Sequence, residues 1–296
     1  MGSKSELIIS LPEDFSFEHT LSFLKRSPKE LLHQVEDERI FKAILIGEQT
    51  FALQIEYQPH ILIVKFLTVI PGKEQRHAIE TFVREWFDLD TNLKPFYALA
   101  KKDALLKPLV KKYYGYRIVG QPDLFESITW AILGQQINLS FAYSLKERLV
   151  RNFGECIYLD SKHLYLFPTS ARLSSLTPDE LLALQFSRQK AQYVINVADH
   201  FNRNIISKEM LTGVPIEVAK EKLMTIKGIG NWTANYALMK TFRYRDAFPL
   251  EDAGIHNAIK NLQAMKAKPS LHQVKRIFKN YKGWEAYATL YLWKSL

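Results

Sequence analysis

The most constraining stretch of this sequence is residues 223–252, in which a short turn with two glycines joins two helical runs. The first run ends at Ile226, the turn reads Lys227-Gly228-Ile229-Gly230, and the second run starts at about residue 231. Glycine tolerates φ > 0 and lets a large partner approach the backbone. Because the turn opens into a helix, its free N–H groups and the positive end of the helix dipole favour a phosphate. An ordinary turn is the alternative, whereas a dinucleotide-binding loop would need a preceding strand and a third glycine.

The distribution of charge is consistent with binding to a polyanion. The formal net charge is +9, and residues 201–296, which include the turn, carry 16 basic and 7 acidic side chains. Residues 1–115 carry 16 of each sign, and residues 116–200 carry 8 of each. A basic surface confined to one region is typical of proteins that neutralise nucleic-acid phosphates. A well-solvated lysine-rich surface is the alternative interpretation.

Hydrophobic periodicity divides the chain into two parts. Alternating or continuous apolar runs predict strands at 7–11, 39–46, 50–57 and 61–66, with helices at about 17–25 and 73–87. From residue 94 onward strand signals largely disappear, and helical spacing dominates to the end of the chain. We therefore predict an α+β N-terminal domain, an antiparallel sheet with helices, over residues 1–115. An all-α region should follow over residues 116–296.

Composition sets the remaining limits. The 296 residues are 47% apolar and 12% aromatic, enough for a sizeable core and two or three domains. Cys156 is the only cysteine, which excludes a disulfide framework and any four-cysteine metal or iron–sulfur site. No secretory signal and no apolar span of about twenty residues is evident, so we expect a cytoplasmic protein without membrane contact.

Several ordered motifs together resemble the helix-hairpin-helix (HhH-GPD) superfamily of DNA glycosylases, most closely the bacterial DNA-3-methyladenine glycosylase II group. They are the turn at 226–230, the segment Trp232-Thr233-Ala234-Asn235-Tyr236, a carboxylate at Asp252 and an upstream Ile-Leu-Gly-Gln at 132–135. The resemblance covers roughly residue 121 to the end of the chain. It implies a helix-hairpin-helix glycosylase core, with the hairpin at 223–242.

The resemblance implies a catalytic role for Asp252. Breaking a glycosidic bond leaves oxocarbenium-like charge on the sugar, which a nearby carboxylate stabilises. From spacing alone, a plain helix N-cap is the favoured role for Asp252, and only the resemblance reverses that preference. Glu251 and Asp246 are the nearby alternatives.

The resemblance also implies an aromatic base pocket. Trp232 and Tyr236 are four residues apart and share one helix face, and Trp293 and Phe23 match further pocket positions. Aromatic faces attract cationic rings such as 3-methyladenine or 7-methylguanine. Packing in the core is the alternative role for aromatic residues at this spacing. Ala253 stands where the resembled enzyme has a tyrosine, so a wider pocket is expected.

DNA contacts are expected at two loops. The hairpin contributes Lys227, Gly228, Ile229 and Gly230, with Thr233 in the following helix and Gln135 and Gln136 in the upstream loop. Gln136 occupies the position of the wedge that fills the gap left by a flipped base, where the resembled enzyme has leucine; Ile137 is the alternative. As in relatives, the carbonyls of Ile226 and Ile229 can hold a monovalent cation. No catalytic metal and no cofactor are implied.

Helix-hairpin-helix glycosylases that also cut the strand carry a nucleophilic lysine two residues after the second hairpin glycine. Trp232 occupies that position here, and Lys227 and Lys240 do not match it. We therefore predict a monomeric, monofunctional glycosylase that acts on alkylated purines in double-stranded DNA and leaves an abasic site. The alternatives are a glycosylase for neutral lesions such as hypoxanthine or uracil, and a non-catalytic DNA-binding module.

Overall fold

The structure is a computed structural model that describes residues 5–159 and 161–296. Its N-terminal part contains a five-stranded sheet with the strand order β1-β5-β4-β3-β2, in which every neighbouring pair is antiparallel. The strands are β1 (Glu6–Ser10), β2 (Gln34–Glu36), β3 (Arg39–Ile46), β4 (Gln49–Gln58) and β5 (Ile61–Phe66). Two helices accompany them, α1 (Phe17–Leu24) and α2 (Lys73–Phe87). The predicted antiparallel sheet with helices is confirmed.

One face of the sheet packs against α2. Alternate residues of β4, namely Phe51, Leu53 and Ile55, have no solvent exposure. Ile79 and Val83, which are four apart on α2, are fully buried in the same core. Alternate residues of a strand point to the same face of the sheet, and residues four apart lie on the same face of a helix. The buried side chains of β4 and α2 therefore face each other across one core.

The rest of the chain is largely helical, as predicted. Its helices are α3 (Lys94–Ala100), α4 (Leu106–Lys112), α5 (Leu124–Gly134), α6 (Leu139–Phe153), α7 (Ser170–Ser174), α8 (Pro178–Ala183), α9 (Arg188–Asn202), α10 (Ile216–Met224), α11 (Asn231–Ala237), α12 (Ala253–Leu262), α13 (Leu271–Phe278) and α14 (Glu285–Lys294). A π-helical turn, Leu238–Phe242, extends α11, and short 3₁₀ turns lie at Glu209–Leu211 and Lys279–Tyr281. None of the helices in the described ranges is both long and apolar enough to cross a bilayer.

A small hairpin interrupts the helical part, and the periodicity did not predict it. Strands β6 (Cys156–Leu159) and β7 (Lys162–Tyr165) pair antiparallel. Leu164 of β7 is buried with Phe41 and Ala43 of β3, so the hairpin covers part of the N-terminal sheet. Four-residue strands are too short to give a clear alternation in the sequence.

The two parts of the chain are in close contact. Phe96 of α3 packs against Tyr287 and Tyr291 of α14, with ring centroids 5.5 and 5.3 Å apart, so α3 belongs to the core of the helical part. The segment after α1 lies on α6, where Nζ of Lys146 pairs with Glu30 at 3.0 Å. This contact places the end of α1 beside the helical core. The domain boundary at 115/116 stays a prediction.

Candidate active site

The carboxylate of Asp252 caps the first turn of α12. Its Oδ1 accepts the backbone N–H of Ile255 at 3.0 Å, which is the N-cap arrangement expected for an aspartate before a helical run. A carboxylate also interacts favourably with the positive end of the helix dipole at this position. Asp252 is half-buried, so the cap orients the carboxylate without sealing it from solvent.

Two indole groups from separate helices donate to the same carboxylate. Nε1 of Trp232, in the first turn of α11, lies 3.0 Å from Oδ2 of Asp252. Nε1 of Trp293, near the end of α14, lies 2.7 Å from Oδ1. Hydrogen bonds to an ionised acceptor are stronger than neutral ones, so the indoles hold the carboxylate in one orientation. The structure thus brings together three of the predicted site residues.

Tyr236 completes an aromatic layer with the two tryptophans. Its ring stacks on Trp232 at 5.4 Å between centroids and lies 6.3 Å from the ring of Trp293. Nε1 of Trp130 donates to the Tyr236 hydroxyl at 2.9 Å, and burial raises the pKa of that hydroxyl to about 12. Tyr236 is therefore a fixed, neutral side chain beneath the partly exposed indoles.

Phe23 lies beside a separate cavity of about 50 Å³, which Tyr236 also lines. Its ring centroid lies 3.9 Å from the Arg26 guanidinium carbon and 4.7 Å from Nζ of Lys240. Lys240 is buried and donates to the carbonyl of Val119. The Phe23 ring thus packs against the Arg26 guanidinium and the Lys240 amine, whose pKa burial lowers well below its usual value. The role of Phe23 in a base pocket stays a prediction.

Gly254 allows the close packing at the carboxylate, and sequence reasoning missed it. A Cβ built at this position would lie 2.8 Å from Oδ1 of Asp252 and 2.9 Å from Cδ1 of Trp293. Neither side chain can move away without breaking the hydrogen bond from Nε1 of Trp293 to Oδ1 of Asp252. Its position two residues after the aspartate is visible in the sequence, but the tryptophan that makes it necessary is not.

The sequence did not predict the contacts of three polar residues near Asp252, which are Asn231, Asn235 and Glu251. Nδ2 of Asn231 donates to both carboxylate oxygens of Glu251, at 2.9 and 3.0 Å. Oδ1 of the buried Asn235 accepts the N–H of Phe248 at 2.9 Å. These bonds tie the segment before Asp252 to α11. Glu251, which was an alternative carboxylate, is exposed and engaged in this contact.

Comparison with known proteins identifies the chain's relatives. The family model described as "HhH-GPD superfamily base excision DNA repair protein" matches residues 129–283, more than half of the chain. The chain belongs to this superfamily. A second model, "8-oxoguanine DNA glycosylase, N-terminal domain", matches residues 11–128 of this HhH-GPD protein. The resemblance inferred from the motifs is confirmed.

Individual relatives agree with this assignment. The chain is 41% identical over 293 residues to a DNA-3-methyladenine glycosylase of Bacillus subtilis, an alignment that covers 98% of this chain and 97% of that protein. It is 31% identical over 180 residues to DNA-3-methyladenine glycosylase 2 of Escherichia coli, covering 60% of each chain. A 3-methyladenine DNA-glycosylase structure from Archaeoglobus fulgidus superposes with a TM-score of 0.84 at 24% identity, covering 97% of each chain, and this likeness concerns the fold.

The hairpin of this HhH-GPD chain lies between α10 and α11. Gly228 has φ +108°, and the ring of Tyr193 lies against it, so a side chain there would be strained and would clash. Gly230 has an ordinary φ of −91°, and open space lies in front of it. Of the two predicted glycines, one is needed for the turn and the other leaves room for a partner. Lys227 is exposed beside them.

The upstream loop meets the hairpin through one glutamine. Nε2 of Gln135 donates to the carbonyl of Gly228 at 3.1 Å and to Oγ1 of Thr233 at 3.0 Å. Gln136 is exposed, whereas Ile137 is half-buried against the aromatic core. Of the two wedge candidates, only Gln136 therefore has a side chain that is exposed on the protein surface. The loop and the hairpin line an open groove of about 630 Å³.

The predicted cation site at the hairpin stays a prediction. The carbonyl of Ile226 accepts the N–H of Ile229 at 3.0 Å. Within residues 5–159 and 161–296, no three His, Cys, Asp or Glu side chains gather as a metal site requires.

His256 lies one turn beyond Asp252 and contacts two backbone carbonyls. One ring nitrogen is 2.8 Å from the carbonyl of Pro269, and the other is 3.1 Å from that of Leu250. His256 therefore stabilises the loop before α12.

Proposed function

We propose that this protein is a monofunctional DNA glycosylase that hydrolyses the N-glycosidic bond of alkylated purines of the 3-methyladenine and 7-methylguanine type. The observation that carries the proposal is the carboxylate of Asp252, held by two indole N–H groups at the edge of an aromatic layer. An anion beside aromatic faces suits a reaction in which both the sugar and the departing base carry positive charge.

The reaction needs little from the protein beyond charge and position. The C1′–N bond breaks, its electron pair leaves with the base, and the sugar becomes oxocarbenium-like. Asp252 stabilises that cation electrostatically. Its Oδ2, which accepts only the indole N–H of Trp232, keeps a lone pair for the attacking water, whereas Oδ1 already accepts from Ile255 and Trp293. Water adds to C1′ and loses a proton, which gives an abasic site. An alkylated purine is already cationic and is therefore a good leaving group without a general acid.

The same geometry supports hydrolysis rather than strand cleavage. Trp232 stands in the position where lyases of this superfamily place their lysine, and its indole is bonded to Asp252. Lys240 is buried, and its amine is bound to the carbonyl of Val119. Lys227 lies exposed on the hairpin. None of these side chains offers an amine beside the carboxylate.

Double-stranded DNA with damaged bases is the proposed partner. Residues 201–296 carry 16 basic and 7 acidic side chains, and the hairpin exposes free backbone in front of Gly230. Flipping the base out of the stack leaves a gap. We propose that Gln136, which is exposed, fills it. We also propose that the protein acts as a monomer in the cytoplasm, since the whole candidate site lies in one chain and the single cysteine is free.

The test uses methylated genomic DNA and chromatography of released bases. We expect release of 3-methyladenine and 7-methylguanine by the wild type, slower release of hypoxanthine or uracil from matched duplexes, and no borohydride-trapped adduct. Asp252→Asn should lower excision by about 100-fold or more while DNA binding is retained. DNA binding without excision by the wild type would instead identify a non-catalytic binding module.

A further inference from the structure

The loop between α5 and α6, residues 135–138, adopts an uncommon backbone conformation at its exposed tip. Gln136 has φ +56°, in the left-handed region, where a residue other than glycine is held only at an energetic cost. Its side chain is exposed, whereas the neighbouring Ile137 packs inward. The surrounding structure must therefore hold the loop in this shape.

A buried lysine of α9 holds the first half of the loop. Nζ of Lys190 donates to the carbonyls of Ile132 at 2.9 Å, Leu133 at 2.7 Å and Gln135 at 2.6 Å. The residue is only 8% exposed. These carbonyls include those that the end of α5 leaves without helical partners, and a cation is favourable at this negative end of a helix. Burial lowers the pKa of Lys190 to about 8, so the ammonium still carries all three hydrogens at pH 7.

The same helix also reaches the hairpin. Tyr193, three residues after Lys190, packs its ring on Gly228, where an added Cβ would come within 2.6 Å of it. Gln135 closes the connection by donating to the Gly228 carbonyl and to Thr233. One face of α9 therefore sets the loop and the hairpin relative to each other.

We propose that Lys190 is a positioning residue for base flipping: it fixes residues 135–138 before DNA binds, so that Gln136 enters the base stack in a preformed conformation. The inference rests on the proposed function. A preformed wedge does not have to be ordered during binding, which lowers the cost of extracting the base. Lys190 itself remains under the loop and contacts neither the sugar nor the base.

This role makes the contribution of Lys190 depend on how well the target base is stacked. Extracting a paired base costs a few kcal/mol, and much less when the base is mismatched. Loss of Lys190 should therefore matter for a paired target and hardly at all for a mispaired one. A general structural role, or a role in the chemical step, would affect both targets equally.

The test measures the fluorescence of 2-aminopurine placed as the target base, either paired with thymine or mispaired, together with single-turnover excision of a lesion in the same two contexts. With Lys190→Met at saturating enzyme, we expect about 10- to 100-fold loss of unstacking and excision in the paired duplex, and less than about 3-fold in the mispaired one. Gln136→Ala should reproduce this selective loss. The double variant should be no worse than Lys190→Met alone, because both changes act on one loop.

Two further variants separate positioning from charge and from misfolding. Arg188→Gln removes an exposed positive charge two residues earlier on α9 and should change only DNA affinity, equally in both contexts. Lys190→Gln keeps a hydrogen-bond donor and should give an intermediate loss, which tests the idea even if the methionine variant unfolds. Equal losses in paired and mispaired duplexes, or additive losses in the double variant, would overturn the inference. Normal unstacking without excision by the wild type would defeat the proposed function instead and leave this inference standing.

Discussion

The indole nitrogen of Trp293 lies 2.7 Å from Oδ1 of Asp252, although the two residues belong to different helices. Both atoms crowd the same space above Gly254, where any side chain would come within 3 Å of each residue. The last turn of α14 can therefore reach the first turn of α12 only because residue 254 has no Cβ. This packing sets the direction of the carboxylate.

Replacing Gly254 by alanine should therefore damage catalysis more than folding. The new methyl group must push Trp293 away from Asp252 and so break a charged hydrogen bond. We expect single-turnover excision to fall about 10- to 100-fold, while circular dichroism stays that of the wild type. Gly72→Ala is the matched control, because a Cβ there meets only Gln75 at 3.7 Å. Full activity in Gly254→Ala would show that the indole contact is dispensable.

The two indole N–H groups should act through Asp252 and not independently of it. Trp232→Phe and Trp293→Phe each keep a ring in the aromatic layer but remove one donor to the carboxylate. Each should lower the excision rate by about 10-fold or more. In an Asp252→Asn background the same changes should have little further effect, since the charge they orient is absent. The measurement is a double-mutant cycle of single-turnover rates. Independent losses would mean that the rings act mainly by contacting the base.

The candidate site could be predicted wherever local spacing was sufficient. Trp232 and Tyr236 were expected on one helix face, and they stack at 5.4 Å. Asp252 was expected before a helix, and it caps α12. The need for Gly254 could not be predicted in this way, because it depends on Trp293, which is distant in the sequence and arrives only through tertiary packing.

The burial of two lysines likewise could not be predicted from the sequence. Lysine is rarely buried, so sequence reasoning treats it as a surface residue. Lys146 is nevertheless 4% exposed, because Glu30 and Glu126 from other segments neutralise it. Lys190 is buried because the end of α5 supplies carbonyls to its ammonium. Neither partner set has a signature in the local sequence.

A lysine introduced at position 232 should create a covalent intermediate with the sugar. The side chain of residue 232 reaches Asp252, so an amine there would stand beside both the carboxylate and the reacting carbon. We expect borohydride to trap a protein–DNA adduct with Trp232→Lys and not with the wild type. Trp232→Gln, which loses the indole but adds no amine, is the control. An adduct with the wild-type protein would show that another amine reaches the sugar.

Asp88 should give the protein a measurable pH dependence of stability. It is 2% exposed, and its carboxylate accepts hydrogen bonds from Thr91 and Tyr287. Burial raises its pKa from about 3.8 to about 6, against the opposing effects of Thr91 and Arg117. Between these values the unfolded chain is ionised while the folded protein keeps the proton. The free energy of unfolding should therefore fall by on the order of 2 kcal/mol as the pH rises from about 4 to about 6.

The measurement is urea unfolding of the wild type and of Asp88→Asn from pH 4 to pH 7. Burial lowers the pKa of His33 to about 4. As the pH falls, His33 therefore binds a proton in the unfolded chain before it does so in the folded protein, so its contribution to the free energy of unfolding rises with pH, opposite to that of Asp88. The difference between the two proteins removes this contribution, since His33 is present in both. We expect the stability of the wild type relative to Asp88→Asn to decrease from pH 4 through pH 6 and to level off towards pH 7. A difference that does not change with pH would mean that Asp88 is ionised in the folded protein throughout this range.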